Sequence, residues 1–182
     1  MRRRELLTAV PIAATVAGCT IGNPPEDDDF SFSVAPFDGG EIPERYTCDG
    51  DGVSPPLLVE NIPSAVESLA FVGEWLRSTS HGTIWLLWGI PATDRVEVPA
   101  GLPDEPTLDD PAGARQGTND EGDIGYRTPC HETPDHQEYR ITMLALEVEP
   151  ELEPGADRDE FDDVVDPNVV ASESVIAAYE RF

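Results

Sequence analysis

Lysine is absent from this chain of 182 residues: all 11 basic residues are arginines, against 37 acidic ones, for a formal charge of -26. A surface of that sign repels phosphate backbones, which argues against nucleic acid as a partner. The carboxylates run the length of the chain instead of massing in one tail. That pattern is expected of a protein living in very high salt, where repulsion is screened, so the charge speaks of solvent and not of a basic ligand. Also missing are an apolar run long enough to span a bilayer, an internal repeat, a glycine-rich phosphate loop, and a serine flanked by glycines at a strand-to-helix elbow. Membrane-spanning, nucleotide-binding and serine-hydrolase readings lose their usual signatures with them. The length suits a single domain with a sizeable core.

What is present begins with an address. MRRRELLTAVPIAATVAGC joins an arginine cluster, a short apolar run and small residues before a cysteine, the layout of a signal segment over residues 1–19. Arg3-Arg4-Glu5-Leu6-Leu7 resembles a twin-arginine export motif, and Val16-Ala17-Gly18-Cys19 resembles a lipobox in which Cys19 is lipidated. The plainer alternative is a soluble secretory signal. Residues 20–29, TIGNPPEDDD, read as an acidic tether, and 30–182 as the folded domain. The expected location is outside the cell, on the outer face of its membrane. Cysteine is scarce, and with Cys19 set aside only Cys48 and Cys130 remain; in an oxidising compartment they can pair, or else sit as buried thiols.

From Phe30 onward short apolar or alternating runs are cut by Pro and Gly: FSFSVAPF, LLVENIP, SLAFVGEWL, TIWLLWGIP and YRITMLALEV. These predict strands of an antiparallel all-β domain, with Ile84-Trp85-Leu86-Leu87-Trp88, apolar on both faces, at the centre of a sandwich. The stretch from Pro91 to Tyr126 reads as a wandering surface loop of the kind that borders functional sites. A short peripheral helix is predicted from Asp157 to Val165, opened by Asp157 and Glu160 in a capping box and stopped before Asp166-Pro167. ESVIAAYERF is ambiguous between strand and helix.

Two stretches raise the question of metal. Counted from Asp49, CDGDGVSPPL places Asp49, Asp51 and Glu60 at positions one, three and twelve of a calcium loop. However, Ser54 stands where the bend needs glycine, and Pro55-Pro56 block the helix that should follow. A tight turn with Gly50 and Gly52 at positive φ is the expectation. HETPDH is one residue too long for the helical zinc motif, and Pro134 forbids that helix, so His131 and His136 are expected to be loop histidines. No metal, cofactor or enzymatic activity is expected.

Four segments in order, IPERYTCDGDGVSPPL, TIWLLWGIPA, GARQGTNDEGDIGYRTPC and EYRITMLALE, are similar to those of the phosphatidylethanolamine-binding protein family, in its bacterial and archaeal Raf-kinase-inhibitor-like branch. The resemblance covers nearly all of 30–182. It implies an antiparallel β-sandwich with a small pocket for phosphoryl or other anionic headgroups, makes ESVIAAYER a terminal strand, and matches Cys48 and Cys130 to the family's cysteine pair. The pocket motifs depart from the family. EWLRST stands where Asp-Pro-Asp-Ala-Pro is usual, Ile84 replaces the histidine before the kept Trp85, and Gln137-Glu138-Tyr139 replaces His-Arg-Tyr. A phosphoryl site still needs donors, and His81, Arg127, His131, Gln137 and Tyr139 are the candidates, with Trp85, Pro129 and Glu74 completing the expected lining. The implied partners are a small anion or phospholipid headgroup, and a membrane through the anchor. The alternative is a vestigial pocket, in a protein that inhibits a protease or other enzyme through the Pro91 to Tyr126 loops.

Overall fold

The computed structural model describes residues 30–77, 79–130 and 136–181; the signal segment, Cys19 and the tether lie outside them. Three short strands, β1 (Ser31–Ser33), β2 (Leu57–Glu60) and β5 (Arg95–Val98), form one antiparallel sheet in the order β1-β2-β5. The longer β3 (Ser68–Arg77), β4 (Ser80–Pro91), β7 (His136–Leu146) and β8 (Val169–Glu180), with the two-residue β6 (Arg115–Gln116), form the other in the order β6-β4-β3-β7-β8. The difference in strand length matters, because the inner face of the large sheet continues beyond the cover of the small one.

Alternation along the strands builds two cores. On β3, Leu69 and Phe71 face Phe32, Val59 and Val96 of the small sheet. Ala70 and Val72 face the other way, under helix α1 (Arg158–Val165), whose Phe161 and Val165 close a second cluster with Leu86 and Trp88. The run Ile84 to Trp88 is buried throughout, as its two apolar faces require. It carries a bulge: Gly73 pairs with Trp85 but Glu74 with Thr83, so Ile84 is the extra residue and joins Trp85 on the inner side.

The predicted helix start is present. Asp157 accepts from the Glu160 N–H at 3.0 Å, and Glu160 accepts from the Asp157 N–H at 3.1 Å. The ambiguous C-terminal segment is β8, paired with β7 along its length. The expectation of a loop from Pro91 to Tyr126 needs correction, since β5 and β6 lie inside it; RVEV and RQ are too short for periodicity to register. Cys48 and Cys130 form a disulfide, with Cα atoms 5.4 Å apart. In the turn after Cys48, Gly52 takes a φ of +68°, whereas Gly50 does not take a positive φ and is needed for space against the Glu44 carbonyl. The three carboxylates of the calcium-loop reading do not converge. Asp49 pairs with Arg181 at 3.0 Å, Asp51 with Arg45 at 3.5 Å, and Glu60 with Arg95.

Candidate functional site

Where the large sheet outruns the small one, the inner-face residues Trp75 and Arg77 of β3, Ile84 of β4, and Gln137 and Tyr139 of β7 line a pocket of about 250 Å³. The fourth side is the segment that ends at Cys130, contributing Asp120, Glu121, Arg127, Thr128 and Pro129. That segment is tied to β4 by its backbone: the Asp120 N–H donates to Thr83 O at 2.9 Å and the Arg127 N–H to Ile84 O at 2.7 Å. It is tied to the first turn by the disulfide, by the Cys48 N–H donating to Pro129 O at 3.1 Å, and by the Thr128 hydroxyl donating to Gly52 O at 2.8 Å.

Two guanidinium groups flank the pocket in different states. Arg127 is neutralised: its Nη1 donates to both oxygens of Asp120, at 2.9 and 3.1 Å, and its Nη2 lies 2.9 Å from Glu121. Arg77 lies over the Trp75 ring, 5.5 Å from its centroid, and donates through Nε to Gln137 Oε1 at 3.2 Å. The Trp75 indole is itself held by donation to Asp120 Oδ2 at 2.6 Å, a bond for which residue 82 has to be glycine, because a Cβ there would strike both partners. Tyr139 is 5 % exposed, and burial pushes its phenol up to about 12, against the opposing charges of Arg127 and Arg77. It is therefore a neutral hydroxyl at any ordinary pH, and it bonds to the backbone of Cys130.

Of the residues proposed from sequence, Arg127, Pro129, Gln137 and Tyr139 line this pocket together. Three others do not. Glu74 and His81 lie on the opposite face of the large sheet, Glu74 because it alternates with Trp75, and His81 because it pairs with Leu76, which alternates with Trp75 and Arg77. Glu74 is instead bound by Arg140 at 2.6 Å and Arg158 at 3.1 Å, joining α1 to the sheet. Trp85 is 1 % exposed and belongs to the core, with its indole donating to Gln116 Oε1 at 2.8 Å. His131 lies outside the described residues. Arg77, Asp120 and Glu121 were not anticipated. Arg77 had a readable signal, two positions after Trp75 on the same strand, whereas nothing local marks Asp120.

A short sheet over a long one, with a small polar pocket in the overhang, defines a β-sandwich of the phosphatidylethanolamine-binding type. Residues 32–180 match the phosphatidylethanolamine-binding protein family, and the chain belongs to it. It is 36 % identical over 145 residues to the UPF0098 protein of Methanothermobacter thermautotrophicus, covering 79 % of this chain and 93 % of that one. It is 32 % identical to the UPF0098 protein PH1269 of Pyrococcus horikoshii, over 90 % of this chain and 82 % of the relative. Among solved structures it is similar in fold to E. coli YbcL, described as a member of the mammalian PEBP family, with a TM-score of 0.74 at 22 % identity over 84 % of this chain and 99 % of that one. A phosphatidylethanolamine-binding protein homologue of Chlamydia trachomatis gives a TM-score of 0.65 at 25 % identity, over 78 % of this chain and 90 % of that one.

Proposed function

We propose that this chain is an exported, lipid-anchored binding or modulating protein, not an enzyme, whose pocket takes a small anion of the phosphoryl-headgroup kind. The observation that carries this reading is Arg77. The other arginines among the described residues, at 45, 95, 115, 127, 140, 158 and 181, each meet a carboxylate. Arg77 meets an indole face and an amide oxygen, in a chain whose acidic residues outnumber basic ones 37 to 11. A guanidinium kept clear of so many carboxylates, beside a neutral phenol donor, suits an incoming anion. A volume of about 250 Å³ fits a headgroup and not its acyl chains. The name of the family supports the same class of ligand. Export and anchoring rest on the segment ending at Cys19.

Calorimetric titration with phosphate and with phosphoethanolamine in molar potassium chloride tests the pocket. Arg77→Ala and Tyr139→Phe are each expected to weaken binding more than tenfold, from loss of a bond to a charged group worth roughly 1.5 to 3 kcal/mol. His81→Ala, on the far face of the sheet, is expected to leave affinity unchanged. No binding by the unmodified chain, or binding indifferent to Arg77 and Tyr139, overturns the reading and moves the function to the surface loops.

A further inference from the structure

β8 is the outer strand of the large sheet. One side pairs with β7; on the other, among the described residues, its backbone is engaged at Ala178, which donates to Gly40 O at 2.8 Å and accepts from the Ile42 N–H at 2.7 Å. Those two bonds identify the residues whose amides turn outward. By alternation Ser172, Ser174 and Ile176 present N–H and C=O to the same open side as Ala178. Beyond Ser172 the alternation breaks, because Ala171 pairs with Ala145 and Val169 with Leu146, which leaves Val170 as a bulge. The open edge is bounded by a bulge at one end and an occupied residue at the other. Its centre is Ser174.

The side chains point the same way. Val170 and Ile176 are 53 % and 51 % exposed, two of the three exposed large apolar side chains among the described residues. Between Val169 and Tyr179 there is one carboxylate, Glu173, and it is drawn toward β1, where it accepts the Phe32 N–H at 3.3 Å.

We propose that this edge is where two copies of the chain meet, β8 against β8, antiparallel about a twofold axis at Ser174. In that register Ser174 faces Ser174 and Ser172 faces Ile176, so every outward residue of the open edge finds a partner. Val170 falls opposite Ala178, the bulge against the occupied residue, and pairing stops at both ends together. Glu173 falls opposite Val175, whereas an axis at Glu173 would set two carboxylates face to face. Charge selects the occupant. Even where salt screens the net charge of -26, carboxylates pressed into contact repel, so two copies can meet face to face only where carboxylates are few, while a basic partner would be drawn to the acidic remainder of the surface. A long unpaired edge is also a template for another strand, and a twofold pairing closes it without leading to fibres.

The test is the mass of the full chain in molar potassium chloride and mild detergent, by light scattering and sedimentation at tens of micromolar. Two chains are expected for the unmodified protein and one for Ser174→Pro. Proline removes the central outward N–H, yet it is tolerated on an edge strand whose amide faces solvent. A melting curve shows whether that variant is folded; should it not fold, Ile176→Glu, which sets a carboxylate against the partner strand, replaces it with the same expectation. Ser174→Cys is expected to cross-link the copies, since a hydrogen-bonded antiparallel pair sets Cα atoms about 5.5 Å apart. A single-chain mass overturns the proposal, as does a dimer that survives the folded β8 variants. A dimer that never cross-links through residue 174 overturns the register. A dimer that forms only after residues 1–29 are removed overturns it too, because the chain's own N-terminal segment then covers the edge.

Discussion

Glu74 and Trp75 are neighbours in the chain and take part in different chemistry, because a strand sends them to opposite faces. Glu74 is 3 % exposed between Arg140 and Arg158. Burial works to raise its carboxyl, but the Arg140 hydrogen bond and the charges of Arg158 and Arg140 outweigh it and hold the group below its ordinary 4.5. Asp162, bonded to the same Arg158, moves the other way, since there burial wins. A folded value below the unfolded one means that Glu74 contributes stability fully above the ordinary carboxylate range. That stability is lost as pH falls through the lower folded value. The two arginine side chains keep 38 % and 30 % of their exposure, so Glu74→Ala is expected to cost less than a fully buried pair would, about 2 kcal/mol at neutral pH. The loss should shrink as pH falls below the ordinary 4.5 and through the lower folded value. Urea unfolding at pH 7 and at a pH well below 4.5 measures both, and a loss equal at the two pH values would mean that charge is not the source.

At the scale of elements, the segment before β7 owes its place to ties from far away in sequence. The Cys48–Cys130 bond spans 82 residues, and closing a loop of that length is expected to stabilise the fold by about 4 kcal/mol in a chain-entropy treatment. The same bond holds Pro129 and Cys130 against the pocket. Replacing both cysteines by serine should therefore lower the melting temperature and, separately, weaken phosphate binding. Non-reducing mass spectrometry of exported protein that finds two free thiols would remove the basis for both effects. The elements themselves were unevenly legible. Long alternating runs and the Asp157–Glu160 cap mark β3, β4, β7 and α1 in the sequence, because their signals are local. β5 and β6 offer four and two residues and exist because β2 and β4 pair with them.

The whole molecule carries -26 over 182 residues and an N-terminal segment that ends in Cys19. Lipidation at Cys19 would place the pocket near a membrane surface on a tether of ten residues, which reaches at most about 35 Å when fully extended. Cys19→Ser is expected to release the protein from the membrane fraction or leave it unprocessed. Fractionation of cells expressing either form decides this, and equal solubility of the two would remove the anchor from the proposed function.

By itself the sequence determined what depends on local pattern, strands from alternation and a capped helix, and its resemblance to the family pointed to four of the residues that line the pocket. Tertiary structure decided what depends on register and on distant partners. One extra residue at Ile84 sets Trp85 into the core and lets the strand before it pair on the opposite phase, so Thr83 and Glu74 share the outer face. A shift of one residue moves a side chain from one face of a sheet to the other, and neither strand of the β3–β4 hairpin encodes that register alone. His81 was expected in the pocket and lies behind the sheet for that reason. Asp120, which holds both Trp75 and Arg127, is 45 residues from the tryptophan it anchors, and only the folded chain brings the two within 2.6 Å.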